Sequence, residues 1–366
     1  MIKSKKTMRC LLFVAISIFI FSCNGTKENS ASKVNEKDKV DRTVSDPKKG
    51  EKFTVAFYNV ENLFDIYDDP KTNDNQFLPS SEKRWTAERY SEKLRNLGRV
   101  LSTLNANAGD EADLIGLVEI ENEQVINDLK EQGELGKTDY KVVHEESPDN
   151  RGIDVGLIYN SDVFKYESHT SLRVDFVDNP DIKTRDILYI QGEVNNQDLH
   201  VFVNHWSSRR DGAKETEFKR LNCANVVQRK IEEIQWEDPD AKILLMGDFN
   251  DYPNNKSIRE VIKADGGPEP DHFFNTAASS HGIEGIGTYN YRGDWVMLDQ
   301  IMVSNPLRNS KDLELLDETI SIVKEEWMMY KHPKYGDYRP NRSYGGTKYF
   351  GGFSDHLPVY IQFQMN

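Results

Sequence analysis

From Phe53 to the C-terminus, apolar segments of strand length alternate with longer segments of helical periodicity, and this alternation limits the fold more than any other feature. Short runs rich in Val, Ile, Leu, Phe and Tyr predict strands that are buried on one or both faces. The predicted strands cover residues 53–59, 113–120, 153–160, 185–194, 199–206, 242–249, 295–304 and 357–363. Since no linker-like segment interrupts this pattern, the sequence predicts one α/β domain over residues 51–366.

Two segments between these strands have the pattern of amphipathic helices. Their apolar residues recur every three or four positions, which places them on one face of a helix. The first stripe comprises Leu94, Leu97, Leu101 and Leu104, and the second comprises Phe218, Leu221, Ala224, Val227, Ile231 and Ile234. The sequence therefore predicts a helix in each segment.

The N-terminal segment predicts export. Basic residues precede an apolar run, residues 11–21, that is far shorter than the ~20 residues of a membrane-spanning helix. Cys23 follows this run as in a bacterial lipobox, which predicts a lipoprotein signal peptide over residues 1–23 and a lipid on Cys23. Residues 24–50 are polar and without periodicity, as is typical of a disordered tether. We therefore expect a protein attached by its lipid to the membrane of the bacterial cell envelope; the alternative is an uncleaved anchor.

Charge and cysteine content exclude several classes of protein. The formal net charge is −14, so the surface should repel nucleic acid and anionic membranes unless basic residues are gathered locally. Once Cys10 is removed with the signal and Cys23 is acylated, only Cys223 remains. One cysteine cannot build a disulfide framework or a thiolate metal site. Cys223 lies in the second helical segment and is expected to be a small core residue.

Several predicted strands end in polar residues. Asn59, Glu119 and His205 lie at or near the ends of three strands, and Asp248 and Asn250 follow the apolar run "KILLM". Strands whose ends converge build a binding site there. Each residue alone has a structural alternative: a turn or cap, a charge at a helix N-terminus, a structural histidine or an Asx turn.

Together with the later polar residues, this set favours a metal-dependent reaction at phosphorus. Asp299 interrupts the predicted strand 295–304, and Asp355 and His356 precede the last strand. Carboxylate and amide oxygens are the ligands that Mg²⁺ selects, whereas the lack of nearby cysteines and of a His-x-x-x-His spacing argues against structural zinc. A carboxylate beside a buried strand needs compensation, so we expect Asp248 to be paired with a histidine, a water or a cation.

The order of the motifs "AFYNVENLFD", "LIGLVEIEN", "RGIDVGLIYN", "VFVNHWSSR", "GDFND", "LDQIMVS" and "SDHLPV" resembles the endonuclease/exonuclease/phosphatase superfamily. The resemblance spans residues from about Phe53 to the end, and "GDFND" with "SDH" carries most of it. It implies a four-layer sandwich, in which two mixed β-sheets pack face to face with helices outside, and a cleft at one edge of the sheets.

The resemblance also implies a metal site and a substrate contact. Glu119 is implied as the principal ligand of Mg²⁺, with Mn²⁺ as a substitute, and Asn59 lies beside it. Asp355 joins the network of the metal or its water. Arg151 is implied to reach a substrate phosphate.

The catalytic residues are implied in the same way. Asp248 would orient or activate the attacking water, and Asn250 would hold a phosphate oxygen. His356, oriented by Asp299, would stabilise the phosphorane or assist proton transfer. His205 matches the histidine of the deoxyribonuclease and sphingomyelinase branches, which disfavours a role in DNA repair.

A basic and aromatic segment, residues 330–352, precedes "SDH" and is a candidate substrate wall. Its cations, Arg339 and Arg342 among them, would contact phosphates, and its tyrosines would contact bases. The alternative is a solvated loop whose tyrosines pack onto the domain.

Three functions are compatible with the sequence. The first is an envelope-anchored, metal-dependent endonuclease that acts on nucleic acid as a monomer without a protein partner. The second is a phosphatase or phosphodiesterase of the same fold that acts on a phospholipid headgroup, a nucleotide or another small ester. The third is a non-catalytic surface lipoprotein, which the intact Glu119, His205, Asp248 and His356 disfavour.

Overall fold

The computed structural model describes residues 50–108 and 112–366. The predicted signal peptide, its Cys23 and the tether up to residue 49 lie outside the described residues. The α-helices are α1 (Ala87–Ala108), α2 (Glu123–Lys130), α3 (Glu217–Glu237) and α4 (Asn305–Arg308). Short 3₁₀ helices cover Asn75–Phe77, Leu135–Lys137 and Glu326–Met328, and a π-helix covers Ser257–Val261. None of these helices combines the length and the apolar character needed to cross a membrane.

The strands of the first half of the described chain are β1 (Lys52–Leu63), β2 (Leu114–Ile120), β3 (Tyr140–His144), β4 (Asp154–Asn160), β5 (Lys165–Leu172), β6 (Ile187–Val194) and β7 (Gln197–His205). Those of the second half are β8 (Ile243–Asp248), β9 (Phe273–Asn275), β10 (Tyr289–Tyr291), β11 (Asp294–Val296), β12 (Asp299–Ser304), β13 (Leu313–Leu315), β14 (Ser321–Ile322), β15 (Met329–Lys331), β16 (Tyr338–Pro340), β17 (Tyr344–Gly345), β18 (Lys348–Tyr349) and β19 (Val359–Met365).

Most strands belong to two mixed sheets. The first sheet has the order β13-β19-β1-β2-β4-β3, with β14 also paired to β19, and the second has the order β5-β6-β7-β8-β12-β9. Within these sheets the pairs β1–β2 and β7–β8 are parallel, and the other pairs are antiparallel. Three small hairpins, β10–β11, β15–β16 and β17–β18, stand outside them.

The layers form because the central strands are apolar on both faces. In β1, Phe57 joins the core between the two sheets, while the next residue, Tyr58, joins the core under α1 and α2. On the other side, Phe202 of β7 packs in the core under α3. Burying each such side chain contributes about 1.5–3 kcal/mol. The helix, sheet, sheet, helix order confirms the predicted four-layer α/β sandwich.

The topology brings the polar residues to one edge of the sandwich. β1 and β2 form the parallel pair at the centre of the first sheet, and β7 and β8 form that of the second. The carboxyl ends of the two strands in each pair therefore lie at the same edge of their sheet. The antiparallel strand β12 begins where its neighbour β8 ends, with Asp299 opposite Asp248. A strand end and the start of its antiparallel neighbour therefore both deliver side chains to the same edge.

Two predictions about element boundaries are wrong. The predicted strand 295–304 is divided, because β11 pairs with β10 while β12 pairs with β8. At the break, Thr288 Oγ1 accepts hydrogen bonds from the N–H groups of Leu298 and Asp299, at 3.3 and 3.2 Å. The predicted buried stripe of α3 is also wrong at its first residue. Phe218 is 45% exposed, and the buried face begins instead at Arg220, whose guanidinium pairs with the buried Asp251. The apolar Cys223 is buried in this face, as expected.

Candidate active site

An asparagine from the first sheet contacts the central acid of the second. Asn59 Nδ2 donates a hydrogen bond of 3.1 Å to Asp248 Oδ2 and lies 3.5 Å from Glu119 Oε1. The other oxygen of Glu119 accepts a hydrogen bond of 2.9 Å from the backbone N–H of Asn62. The ends of β1, β2 and β8, which are far apart in sequence, are therefore joined at one point.

The backbone around this point is strained. Glu61, Asn62, Glu119 and Asn250 have φ values between 49° and 63°, in the left-handed region. For a residue with a side chain this region costs about 1–2 kcal/mol. The strain coincides with an irregularity in the pairing of β1 with β2, between Asn59 and Leu63. The bulge takes Glu61 and Asn62 out of the ladder between β1 and β2, while Asn250 lies in the loop after β8.

His356 lies between two buried carboxylates. Its Nδ1 is 2.8 Å from Asp299 Oδ2, and its Nε2 is 3.8 Å from Asp248 Oδ2. Burial lowers the pKa of His356, but Asp299 and Asp248 raise it more, so the pKa lies well above its usual value. His356 is therefore an imidazolium whose Nδ1 donates to Asp299. The Tyr289 ring packs on it with centroids 4.8 Å apart.

The second histidine of the site is neutral. His205 Nε2 is 3.8 Å from Asp248 Oδ2 and 3.9 Å from Glu119 Oε1. Burial lowers the pKa of His205 well below its usual value, and the positive charges of Arg185 and Arg151 lower it further. In the described part of the chain, no group hydrogen-bonds to His205 Nδ1. Asp248 therefore lies near one charged and one neutral imidazole. Titratable groups whose pKa values are shifted apart in this way can serve as the acid and the base of a reaction.

The pKa of Asp248 lies close to neutral pH. Burial is the main cause that raises its pKa to about 7, with smaller contributions from the charges of Asp299 and Glu119. His356 and a hydrogen bond of 2.9 Å from the Asn250 N–H to Asp248 Oδ1 lower it in part. A carboxylate with a pKa near the working pH is an effective general base.

The segment "SDH" is tied to β1 through a serine. Ser354 Oγ donates to the carbonyl oxygen of Asn59 at 2.6 Å and accepts from the His356 N–H at 3.1 Å. Asp355 lies between them in the chain and lines the cleft. The site residues that precede the last strand are thereby fixed relative to those of the first.

Sequence reasoning missed a buried arginine that holds His205 in place. Arg185 donates to the carbonyl oxygens of His205 at 3.2 Å and Trp206 at 2.6 Å, and to Asp149 Oδ2 at 3.0 Å. Burial raises the pKa of Asp149, but Arg185 and Arg151 lower it more, so the pKa stays below its usual value. The signal was present: an arginine at the start of an apolar strand must be paired if it is buried.

We expect Arg185→Met to lower the free energy of unfolding by about 3–5 kcal/mol, because Asp149 is left buried without its partner. Urea unfolding followed by circular dichroism measures this loss. Lys141→Met is the control, since Lys141 pairs with Asp139 at 2.8 Å and both side chains are exposed, and such a pair contributes about 0–1 kcal/mol. Equal losses in the two variants would contradict the role given to Arg185.

The carboxylates of the site form a donor set that fits a hard divalent cation. Burial and the charge of Asp355 raise the pKa of Glu61 to about 8, against a lowering by Lys93. In the described residues, no lysine or arginine nitrogen lies within 4.0 Å of the Glu119 or Asp355 carboxylate. Oxygen donors that lack a countercharge fit Mg²⁺. Among the described residues, two groups of three have potential ligand atoms within 4.8 Å of one another: Asp248, Asp299 and His356, and, apart from these, His144, Glu146 and Asp154. Glu119 and Asp355 belong to neither group, and a protonated His356 has no lone pair for a metal.

The site opens into a cleft of about 990 Å³. In a chain with a net charge of −14, the cleft nonetheless gathers seven basic residues. They are Arg151, Lys183, Arg185, Arg209, Arg210, Lys219 and Arg342. The cleft also brings together Glu119, His205, Asp248, Asn250, Asp355 and His356. These cations provide the local positive charge that an acidic protein needs to bind a polyanion.

The predicted substrate residues have different environments. Arg342 lines the cleft, and Arg151 lines it while contacting Asp149 Oδ1 at 3.4 Å. Arg339 is absent from the described cleft lining, and its Nε donates to Asp337 at 2.6 Å beside the β15–β16 hairpin. The predicted wall is thus divided: Arg342 faces the cleft and Arg339 is held by an acid.

Comparison with known proteins gives one family and one fold. A sequence profile of the Endonuclease/Exonuclease/phosphatase family matches residues 54–365. Over 90 residues, 24% of this chain and 29% of the relative, the chain is 33% identical to an uncharacterized lipoprotein of Staphylococcus epidermidis. The match thus spans under a third of that protein.

Solved structures share the fold at low sequence identity. A humanized TDP2 of D. rerio superposes with a TM-score of 0.53 at 17% identity, covering 85% of this chain and 98% of that one. A D. rerio TDP2 in complex with a single-strand DNA product gives 0.51 at 16%, with the same coverage. A family member of Bacteroides thetaiotaomicron gives 0.52 at 17%, covering 87% and 99%.

Proposed function

The chain belongs to the Endonuclease/Exonuclease/phosphatase family, and we propose that it is a divalent-metal-dependent endonuclease that hydrolyses phosphodiester bonds of nucleic acid. The observation that carries the proposal is the arrangement of His356, Asp248 and His205. An imidazolium and a neutral imidazole both lie 3.8 Å from the same buried carboxylate. That distance is too long for a direct hydrogen bond, and it leaves the three groups to act on atoms of water and substrate.

The residues divide the work of hydrolysis as follows. Asp248 accepts a proton from the attacking water as the new bond to phosphorus forms. The protonated His356, held by Asp299, donates to the non-bridging oxygen on which negative charge grows. The bond to the leaving oxygen breaks, that oxygen takes up a proton from solvent water, and Asp248 returns to solvent the proton that it accepted. Asn250 Nδ2 donates one hydrogen to the Trp206 carbonyl at 3.1 Å, and its second hydrogen is left to hold a phosphate oxygen, the role that the resemblance implies.

Glu119, Asp355 and Asn59 would hold the divalent cation. When bound, this ion would polarise a phosphate oxygen and neutralise charge that develops during hydrolysis. The Asn62 N–H holds Glu119 in position for this role. It donates to Glu119 Oε2, while Glu119 Oε1 lies 3.5 Å from Asn59 Nδ2.

Nucleic acid is the substrate class that the cleft favours. Its basic lining is accompanied by tyrosines, among them Tyr252, on which the guanidinium of Arg209 packs 4.1 Å from the ring centroid. Cations that follow a phosphate backbone, together with rings that accept bases, are typical of single-strand binding. The D. rerio TDP2 complex shows that this fold holds single-strand DNA in another protein.

The experiment that tests this function is a substrate panel with purified protein. We expect cleavage of single-stranded and plasmid DNA or RNA in Mg²⁺ or Mn²⁺, and none after chelation with EDTA. Sphingomyelin, mononucleotides and inositol phosphates serve as the competing substrates. If any of these esters is hydrolysed faster than nucleic acid, that ester replaces nucleic acid as the proposed substrate. Cleavage that persists in EDTA would exclude dependence on a divalent metal.

The predicted lipid anchor belongs to the same proposal. The lipobox-like Cys23 supports it, as does the name lipoprotein of the S. epidermidis relative. We expect the protein to incorporate radioactive palmitate when it is expressed in a bacterial host. Cys23→Ser should abolish the label, and equal labelling of both proteins would refute lipid attachment at this residue.

A further inference from the structure

A second cavity, of about 670 Å³, lies beside the catalytic cleft. Its lining comes from residues 61–62, from residues 75–85, which precede α1, from residues 342–347 and from Asp355, and it includes the acids Glu61, Glu82 and Asp355. Three residues line both spaces: Asn62, Arg342 and Asp355. The cavity therefore adjoins the metal-binding side of the active site, and its volume is in the usual range of ligand pockets.

A lysine is held in the wall of this cavity by aromatic rings. Lys83 Nζ lies 3.9 Å from the ring centroid of Phe77 and 5.3 Å from that of Tyr344. Tyr344 also donates its hydroxyl hydrogen to the Lys83 carbonyl oxygen at 3.1 Å. Phe77 in turn stacks on Phe64, with centroids 4.3 Å apart. These contacts restrict the lysine side chain, so its ammonium group is positioned before any ligand arrives.

Lys83 and Arg342 both lack an acidic partner. In the described part of the chain, no carboxylate oxygen lies within 4.0 Å of either cationic group, and neither group donates a hydrogen bond. This is unexpected, since Asp and Glu outnumber Lys and Arg by 61 to 47. By contrast, Arg185 in the cleft is ion-paired. Of the acids that line the cavity, Glu61 lies 3.9 Å from Lys93, Glu82 is exposed, and Asp355 is assigned to the divalent cation. Lys83 and Arg342 are therefore the cations that can bind an anion there.

The lysine is also within electrostatic reach of the metal-binding acids. Burial lowers the pKa of Lys83, while attraction by Glu61 and Glu119 raises it in part. An anion bound by Lys83 would therefore lie next to the phosphate that is hydrolysed, and not at a remote surface.

We propose that this cavity is a subsite in which Lys83 and Arg342 bind the phosphate next to the scissile one in a polynucleotide. The inference rests on the proposed nuclease function and extends it. Arg209 and Arg210 line the cleft but not this cavity, so in this proposal they are left to contact the chain on the other side of the scissile bond. A substrate held on both sides is cut internally, so the two cavities explain endonucleolytic action and discriminate against monoesters.

The test uses oligonucleotides with one cleavable phosphodiester between two flanking linkages. Each flanking linkage is made either as a charged, resistant phosphorothioate or as a neutral methylphosphonate. For the wild type, we expect neutralising one of the two flanks to lower kcat/KM about tenfold. Lys83→Ala should cause the same loss with the charged substrate and no further loss with that neutral flank. Such non-additivity identifies two groups in contact.

Lys324→Ala is the matched control, because Lys324 also lies 3.9 Å over a ring, that of Trp295, but lines neither cavity. It should retain wild-type kcat/KM on every substrate. Lys83→Ala should lose much less activity on bis(4-nitrophenyl) phosphate, which carries a single phosphate, than on the charged oligonucleotide.

The outcomes separate the subsite from the function. If Lys83→Ala reduces cleavage of all substrates equally, or if its effect adds to that of both neutral flanks, the subsite is refuted while the nuclease stands. If the wild type hydrolyses bis(4-nitrophenyl) phosphate but no oligonucleotide, the proposed nuclease function fails, and the subsite fails with it.

Discussion

His356→Ala is expected to lower kcat for phosphodiester hydrolysis by about 10²–10³-fold, because it removes a charged donor aimed at the developing negative charge. Asp299 and Asp248 keep this imidazole protonated, so its full charge is present at neutral pH. Single-turnover cleavage of a labelled oligonucleotide measures the loss in the chemical step, independently of product release.

The controls for His356→Ala address folding and protonation. A thermal melt is needed, because the variant leaves Asp299 buried without its partner. The wild-type rate should fall as the pH drops below about 7, where Asp248 gains a proton and no longer accepts one from water. It should fall again at high pH, where His356 loses its proton. A folded His356→Ala variant with wild-type kcat would disprove the role of this residue.

Glu119→Gln is expected to weaken Mn²⁺ or Mg²⁺ binding and to lower hydrolysis by about 100-fold or more, since it replaces a charged oxygen donor by a neutral one. The substitution keeps the shape of the side chain and an oxygen that can accept from the Asn62 N–H. Isothermal titration with Mn²⁺ measures binding without relying on activity.

The matched control for Glu119→Gln is Glu123→Gln. Glu123 belongs to the same acidic run but is exposed in the first turn of α2, so its variant should bind Mn²⁺ like the wild type. Mn²⁺ binding that is unchanged in Glu119→Gln would remove this residue from the metal site.

Much of the site was accessible from the sequence because strand ends carry positional information. An apolar run that stops at Asn59, Glu119, His205 or Asp248 predicts both a strand and the edge at which it ends. Asp299 and His356 were harder, since Asp299 begins the antiparallel strand β12 and His356 precedes β19, where an isolated antiparallel bridge pairs it with Tyr289. For these two residues, the resemblance to the family supplied what periodicity did not.

Other features depend on contacts that no local pattern encodes. Lys83 lies in a polar loop, and only the packing of Phe77 and Tyr344 places it beside the active site. Arg339 and Arg342 are three residues apart in one basic segment, yet an acid at position 337 binds the first while the second lines the cleft. The apolar composition of 295–304 likewise gave no indication of the break between Val296 and Asp299, where Thr288 accepts hydrogen bonds from the chain.

The hydrogen bond between Asn59 and Asp248 makes the distance between the two sheets a determinant of reactivity. Each half of the reaction centre is attached to a different sheet, so interior packing decides how far apart they stand. At Gly116, a methyl group would lie 2.6 Å from Met246 Sδ, at the interface between the sheets. Substitutions in this buried interface between the sheets are therefore expected to affect the catalytic rate as well as folding, although its residues face neither solvent nor substrate.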